Sequence, residues 1–207
     1  MKNKTHPLEV LSAVGIVILV AFGGVVGRSC GKNAANGHIS TKQGTSPPSP
    51  NDLKNFDVAG LTLLLPGHPH DEKLDLPQGA GQLVEAFESY NFTDPSINIG
   101  ISRAVYRSQD ANLDGAADGA ISGVRNLSGV KLFNESKSET VVDGLAGREM
   151  KMTYMNGQFQ MNQFGLVFSR GRECWQIQII GEGLQNRAAL ENLKDAVFGS
   201  IKVSPGG

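Results

Sequence analysis

The sequence predicts an α+β fold, an antiparallel sheet with helices packed on it, preceded by one transmembrane helix. Three observations predict it. Apolar residues alternate with period two through the second half of the chain, as at Met150, Met152 and Tyr154 and again at Trp175, Ile177 and Ile179. Two segments, one in mid-chain and one near the carboxyl end, change to a helical period. An uncharged run, VLSAVGIVILVAFGGVVG over residues 10–27, stands close to the amino terminus.

That run comes first in the chain. As a helix it reaches about 27 Å, roughly the thickness of a bilayer's hydrocarbon core. Lys2 and Lys4 precede it, as they would in a signal peptide or a signal anchor. The run exceeds the roughly 7–15 residues of an ordinary cleaved apolar core, and no A-x-A site follows it. Gly27-Arg28-Ser29 and Ser29-Cys30-Gly31 are poor substitutes, so residues 1–28 are expected to stay as a single-pass anchor. Arg28 also departs from the pattern that precedes an acylated lipoprotein cysteine at Cys30. Positive residues on the two sides, Lys2 and Lys4 against Arg28, Lys32 and Lys42, give no orientation vote. The default for a short basic tail puts the remainder outside the cytoplasm, at the cell membrane.

Residues 29–55 hold little apolar material and end in Ser46-Pro47-Pro48-Ser49-Pro50. Such a composition buries too little surface to offset ordering entropy and predicts a flexible Gly/Ser/Pro-rich tether. Residues 56–203 remain for one domain with its own core. The 19 basic and 20 acidic residues nearly cancel, and no basic stripe occurs, which excludes nucleic acid as an expected partner. Two cysteines are too few for a disulfide scaffold, and Cys174 reads as a core residue.

Within the domain, FDVAGLTLLLP at 56–66 predicts a strand pair or a kinked strand. A strand over 84–90 leads through Thr93-Asp94-Pro95-Ser96 into another marked by Ile97, Ile99, Ile101 and Val105. Over 110–127 the period becomes helical, with Leu113, Ala117, Ala120, Val124 and Leu127 on one face and an Asp or Asn cap. Gly115, Gly119 and Gly123 form a stripe that lets this helix lie close against a sheet. Asp143-Gly144 and Asn156-Gly157 mark hairpins. The apolar phase slips between Met161 and Phe164, which predicts a bulge near Asn162-Gln163. Arg170-Gly171-Arg172 turns the chain into the Trp175 strand, and Leu190, Leu193 and Val197 share a face of a closing helix over 186–200.

This order carries a resemblance. An aliphatic strand ends in Leu65-Pro66-Gly67-x-Pro69; a long strand and a helix follow. Then come Asp143-Gly144-Leu145-Ala146-Gly147-Arg148-Glu149, a meander, an aromatic strand and a helix running into Ser200-Ile201. The domain resembles the PsbP/Mog1/DcrB-like superfamily. The resemblance implies an α/β/α sandwich and a binding or accessory role without a catalytic motif.

Two clusters offer ligand chemistry. Asp110, Asn112, Asp114 and Gly115 match the start of a calcium-binding loop, with Asp118 at its ninth position. Ile121 stands where a bidentate Glu is needed, so the same residues also read as an acidic helix start. His68 and His70, beside Asp71 and Glu72, offer zinc or copper ligands but read equally as a polar turn. No G-x-S-x-G occurs, and Cys174 has no nearby histidine. The sequence therefore predicts a membrane-anchored extracytoplasmic binding or accessory domain, with no catalytic residues, no cofactor and an envelope protein as partner. The alternative is a metal-dependent envelope protein or enzyme built on His68 and His70 or on Asp110, Asn112 and Asp114.

Overall fold

The computed structural model describes residues 46–74, 76, 80–183 and 186–205. A 3₁₀ turn (Pro50–Asp52) leads into β1 (Lys54–Val58), β2 (Leu61–Leu65), β3 (His70–Asp71), the single turn α1 (Ala80–Leu83), β4 (Val84–Thr93) and β5 (Ile97–Tyr106). Next come α2 (Leu113–Arg125), β6 (Val130–Val142), β7 (Leu145–Asn156), β8 (Phe159–Arg170), β9 (Glu173–Glu182), α3 (Arg187–Gly199) and β10 (Lys202–Val203). Seven strands form one sheet in the order β3-β4-β5-β9-β8-β7-β6, and β1-β2-β10 form a second. The strand pairings in both are antiparallel.

The expected fold class needs correction. Among the described residues strand exceeds helix by 52% to 22%, so the domain is mainly antiparallel β rather than α+β with helical layers. Helix α2 covers one face of the large sheet. The other face is covered by the small sheet together with α3, where a helical layer was expected. The reason lies in β2, whose Leu61, Leu63 and Leu65 are all fully buried. A strand so apolar would be out of place on an open edge. Folded back as a hairpin with β1, it lays those leucines onto Ile97, Ile99 and Ile101 of β5 and Ile177 and Ile179 of β9. Among the described residues no helix is long and apolar enough to cross a membrane. The run over 10–27 lies outside the described residues, as do Cys30 and the start of the tether.

Local chemistry sets the hairpins. Val142 pairs with Leu145 around Asp143 (φ 49°) and Gly144 (φ 84°), the two positive φ values of a type I′ turn. Ala59 (φ 54°) and Gly60 (φ 74°) do the same between β1 and β2. At the Asn156-Gly157 hairpin, Asn156 pairs with Phe159, so Asn156 ends β7 and only Gly157 takes positive φ. Helix α2 starts as its sequence predicts: Asn112 Oδ1 accepts from the Gly115 amide at 3.0 Å. Its buried side is Ala116, Ala117, Gly119, Ala120, Ile121, Gly123 and Val124, small enough for close approach to the sheet.

The bulge expected near Asn162-Gln163 is absent, because β8 keeps unbroken register with both β7 and β9. Strand β8 is buried on both faces: Phe164, Leu166 and Phe168 lie in the core with the small sheet and α3, and Met161 and Val167 in the core with α2. A strand covered on both sides has no polar face to keep in phase, so the apolar pattern can slip without a structural break.

Candidate functional site

Antiparallel register brings four chemistry-bearing residues to one end of the large sheet, on the face shared with the small sheet. Arg103 of β5 lies opposite Trp175 of β9, Trp175 opposite Phe168 of β8, and Arg170 opposite Glu173 across the Gly171-Arg172 turn. Gly171 takes φ 56° there, which lets two residues close the hairpin. The Trp175 indole is fully buried, stacked on Phe168 at 5.4 Å between centroids, and its Nε1 donates to the Ala59 carbonyl at 2.8 Å. That bond ties the left-handed Ala59 turn of the small sheet to the large one, offsetting part of the cost of positive φ at a residue with a Cβ.

Two guanidiniums lie over this indole, Arg170 at 5.6 Å and Arg103 at 6.0 Å from the ring centroid. Glu173 joins them: it accepts from Arg170 Nε at 3.0 Å and Nη2 at 2.6 Å, and also from Arg103 Nη2. Burial pushes the Glu173 carboxyl up, but the hydrogen bonds from Arg103 and Arg170 outweigh it and hold the group below the ordinary carboxyl range. Arg103 Nη1 reaches Glu88 at 3.0 Å, and its Nε is buried without a partner among the described residues. Arg172 projects from the turn, its Nη1 donating to Glu85 at 3.0 Å and to the Tyr106 and Arg107 carbonyls at 3.0 and 3.1 Å. The segment after β10 borders the same place: Ser204 donates to the Gly60 carbonyl at 3.0 Å and accepts from Arg170 Nη1 at 2.8 Å.

Between these groups lies a cavity of about 580 Å³, lined by Gly60, Arg103, Val105, Arg170, Arg172, Glu173, Trp175, Ser204 and Pro205. Its size falls in the range of small-ligand sites. Three arginines and Glu173 line it, with Glu88 and Glu85 paired to Arg103 and Arg172 beside it. Arg103 is held more firmly protonated by its bond to Glu173, and Glu173 is held ionised. The recess thus presents guanidinium donors around a buried indole, the equipment for recognising a negatively charged group.

The residues singled out from the sequence lie elsewhere. Asn112 turns inward to cap α2. Asp114 pairs with Arg148 at 2.9 Å, and Asp118 with Lys137 at 2.6 Å. Hydrogen bonding from Arg148 lowers the Asp114 carboxyl. Ile121 is buried in the α2 core, and Asp110 is exposed ahead of the helix. Three of the four oxygen-bearing side chains of the calcium pattern therefore serve a cap and two surface ion pairs. His68 and His70 are both exposed, their rings 6.1 Å apart, and His68 Nδ1 lies 2.7 Å from the Pro69 carbonyl. Beside them Asp71, Glu72, Lys73, Leu74 and Phe87 to Tyr90 line a smaller recess of about 360 Å³, where burial raises the Glu72 carboxyl. Among the described residues no group of three or more histidine, cysteine or acidic side chains is placed to hold a metal ion.

The sequence reading placed Arg170, Gly171 and Arg172 in a turn and Trp175 in a strand, and missed the recess. Its one local signal was arginine on both sides of a glycine turn followed by Glu173. Arg103 comes from 67 positions earlier than Arg170, and only the β5–β9 pairing reveals its part.

No family model matches the chain, and no curated protein matches it. Solved structures do. The cyanobacterial PsbP (CyanoP) of Synechocystis sp. PCC 6803 is similar at 13% identity and a TM-score of 0.51, over 84% of this chain and 99% of that one. LpqN of Mycobacterium tuberculosis, a protein involved in cell envelope biogenesis, matches at 13% identity and a TM-score of 0.44, over 76% of this chain and 82% of that one. PA94 of Pseudomonas aeruginosa matches at 10% and 0.42, over 74% and 99%. The likeness to CyanoP shows a PsbP/Mog1-like fold, as the resemblance in the sequence implied.

Proposed function

We propose that this chain is a binding or accessory domain, held at a membrane outside the cytoplasm by residues 1–28, that recognises an envelope protein partner and has no catalytic activity of its own. The observation that carries this reading is the arginine-lined recess, in which Arg103 and Arg170 both bond Glu173 over the buried Trp175 indole. Such a site offers charge-selective recognition. The uncharged run over 10–27 supports the address, and the proline-tipped tether supports a domain working near the bilayer surface. The PsbP/Mog1-like fold fits an accessory role by resemblance.

A photoreactive residue placed at Ser204, on the recess, tests this in cells, with one at the exposed Gln158 in the hairpin at the opposite end of β8 as control. The expected outcome is a discrete protein adduct from position 204 and none from 158. No adduct at 204, or the same adducts from both positions, refutes the reading.

A further inference from the structure

We propose that the recess binds an oxyanionic group, a phosphate or carboxylate, bridged between Arg103 and Arg172. This rests on the reading of the recess as the recognition site and names the chemistry it takes. The three arginines differ in what they leave free. Arg170 is committed, with Nε and Nη2 on Glu173 and Nη1 on the Ser204 carbonyl. Arg103 has a buried Nε with no partner among the described residues, and its Nη1 is held only by Glu88 at the rim. Among the described residues Arg172 bonds through Nη1 alone, and its one acidic partner is Glu85.

The carboxylates divide in the same way. Glu173 is 20% exposed and held by two guanidiniums, so it belongs to the scaffold. Glu85 and Glu88 are 53% and 37% exposed, each in a single ion pair among the described residues. Pairs of that kind contribute little, so an incoming oxyanion can displace them. The guanidiniums that receive it are already oriented, Arg103 by the indole and Glu173 and Arg172 by two backbone carbonyls, so little side-chain freedom is lost on binding. Guanidinium forks match phosphate and carboxylate oxygens in pairs, which a point-charge ammonium does not. Glu85 and Glu88 thus act as internal competitors that occupy the arginines until an anion arrives. Glu173 is a positioning residue.

Trp175 is the only tryptophan in the chain, and its ring lies under two of the lining guanidiniums, so its fluorescence reports the site. The full chain in neutral detergent would be titrated with inorganic phosphate, glycerol 3-phosphate and citrate at constant ionic strength, with chloride as the control salt. Arginine side-chain Nε–Hε resonances would be followed in parallel. The expected result is a saturable change with the oxyanions and none with chloride. Arg103→Lys and Arg172→Gln should each weaken it about tenfold. Glu85→Gln with Glu88→Gln should tighten it several-fold, a gain that a merely structural role for these residues would not produce. A response to phosphate esters alone assigns a phosphorylated ligand, and one to citrate alone a carboxylate. No saturable response in either readout overturns the proposal, as does a response that survives in both arginine variants. A recess-specific adduct in cells without oxyanion binding would leave the accessory reading standing and remove this one.

Discussion

Cys174 shows how a single burial changes the response of the whole domain to pH. It lies beside Ala104 and Ser169 in the core under α2, and burial pushes its thiol up to about 12. Burial likewise pushes Tyr154 up to about 12, while its hydroxyl donates to Gln163 at 3.1 Å. In both, the folded state holds the proton more tightly than the unfolded chain does. Their contribution is therefore complete below the unfolded values, near 9 for the thiol and 10 for the phenol, and is lost as pH rises toward 12. The urea midpoint followed by Trp175 fluorescence should fall between pH 8 and pH 11, and Cys174→Ala should reduce the loss at pH 10 by about 1 kcal/mol. A midpoint flat across that range would contradict the assignment. Glu173 works in the opposite sense: its folded value is lowered, so its contribution is present above the ordinary carboxyl range and disappears as pH falls through the lowered value.

Elements in this fold meet where side chains are missing. A Cβ added at Gly181 of β9 would stand 2.6 and 2.7 Å from the two Cδ atoms of Leu190, the fully buried leucine that seats α3. Gly181→Ala should therefore push α3 off the sheet and destabilise the domain by about 1–3 kcal/mol in urea unfolding. Leu190→Val removes the colliding reach, so the double variant should lose less than the sum of the two single ones. Strict additivity would show that the helix is not seated there. The closing helix was legible in the sequence through Leu190, Leu193 and Val197, and α2 through its small-residue stripe and Asn112, because amphipathic periodicity is written within a helix. Strand β6 was signalled only by the Asp143-Gly144 turn at its end. Its centre, Asn134 to Glu139, is polar because β6 is the edge of the large sheet and faces water, which erases the alternation that marks a strand.

For the whole molecule the central matter is the relation between the domain and its first 28 residues. Retention of the apolar run predicts that the full chain stays in the membrane pellet through an alkaline wash, while a chain lacking residues 1–28 appears in the soluble fraction. Release of the full chain by that wash would refute the anchor. The sequence by itself determined the apolar run, the near-neutral charge, the two long helices, most strands and the hairpin turns. Each depends on neighbours within about a dozen residues, where side-chain period and turn geometry act directly. Tertiary structure alone decided the rest. Gln176 and Gln178 alternate with Trp175 and Ile177 and look like a solvent face, yet they are buried, because a second layer covers that side of the sheet. The β1–β2 hairpin became a separate sheet because its leucines needed the far face of β5 and β9. The arginine recess formed because antiparallel register set Arg103 against Trp175, and the return of the chain after β10 set Ser204 against Arg170. Such contacts join residues tens of positions apart, and no local pattern encodes which strands will pair.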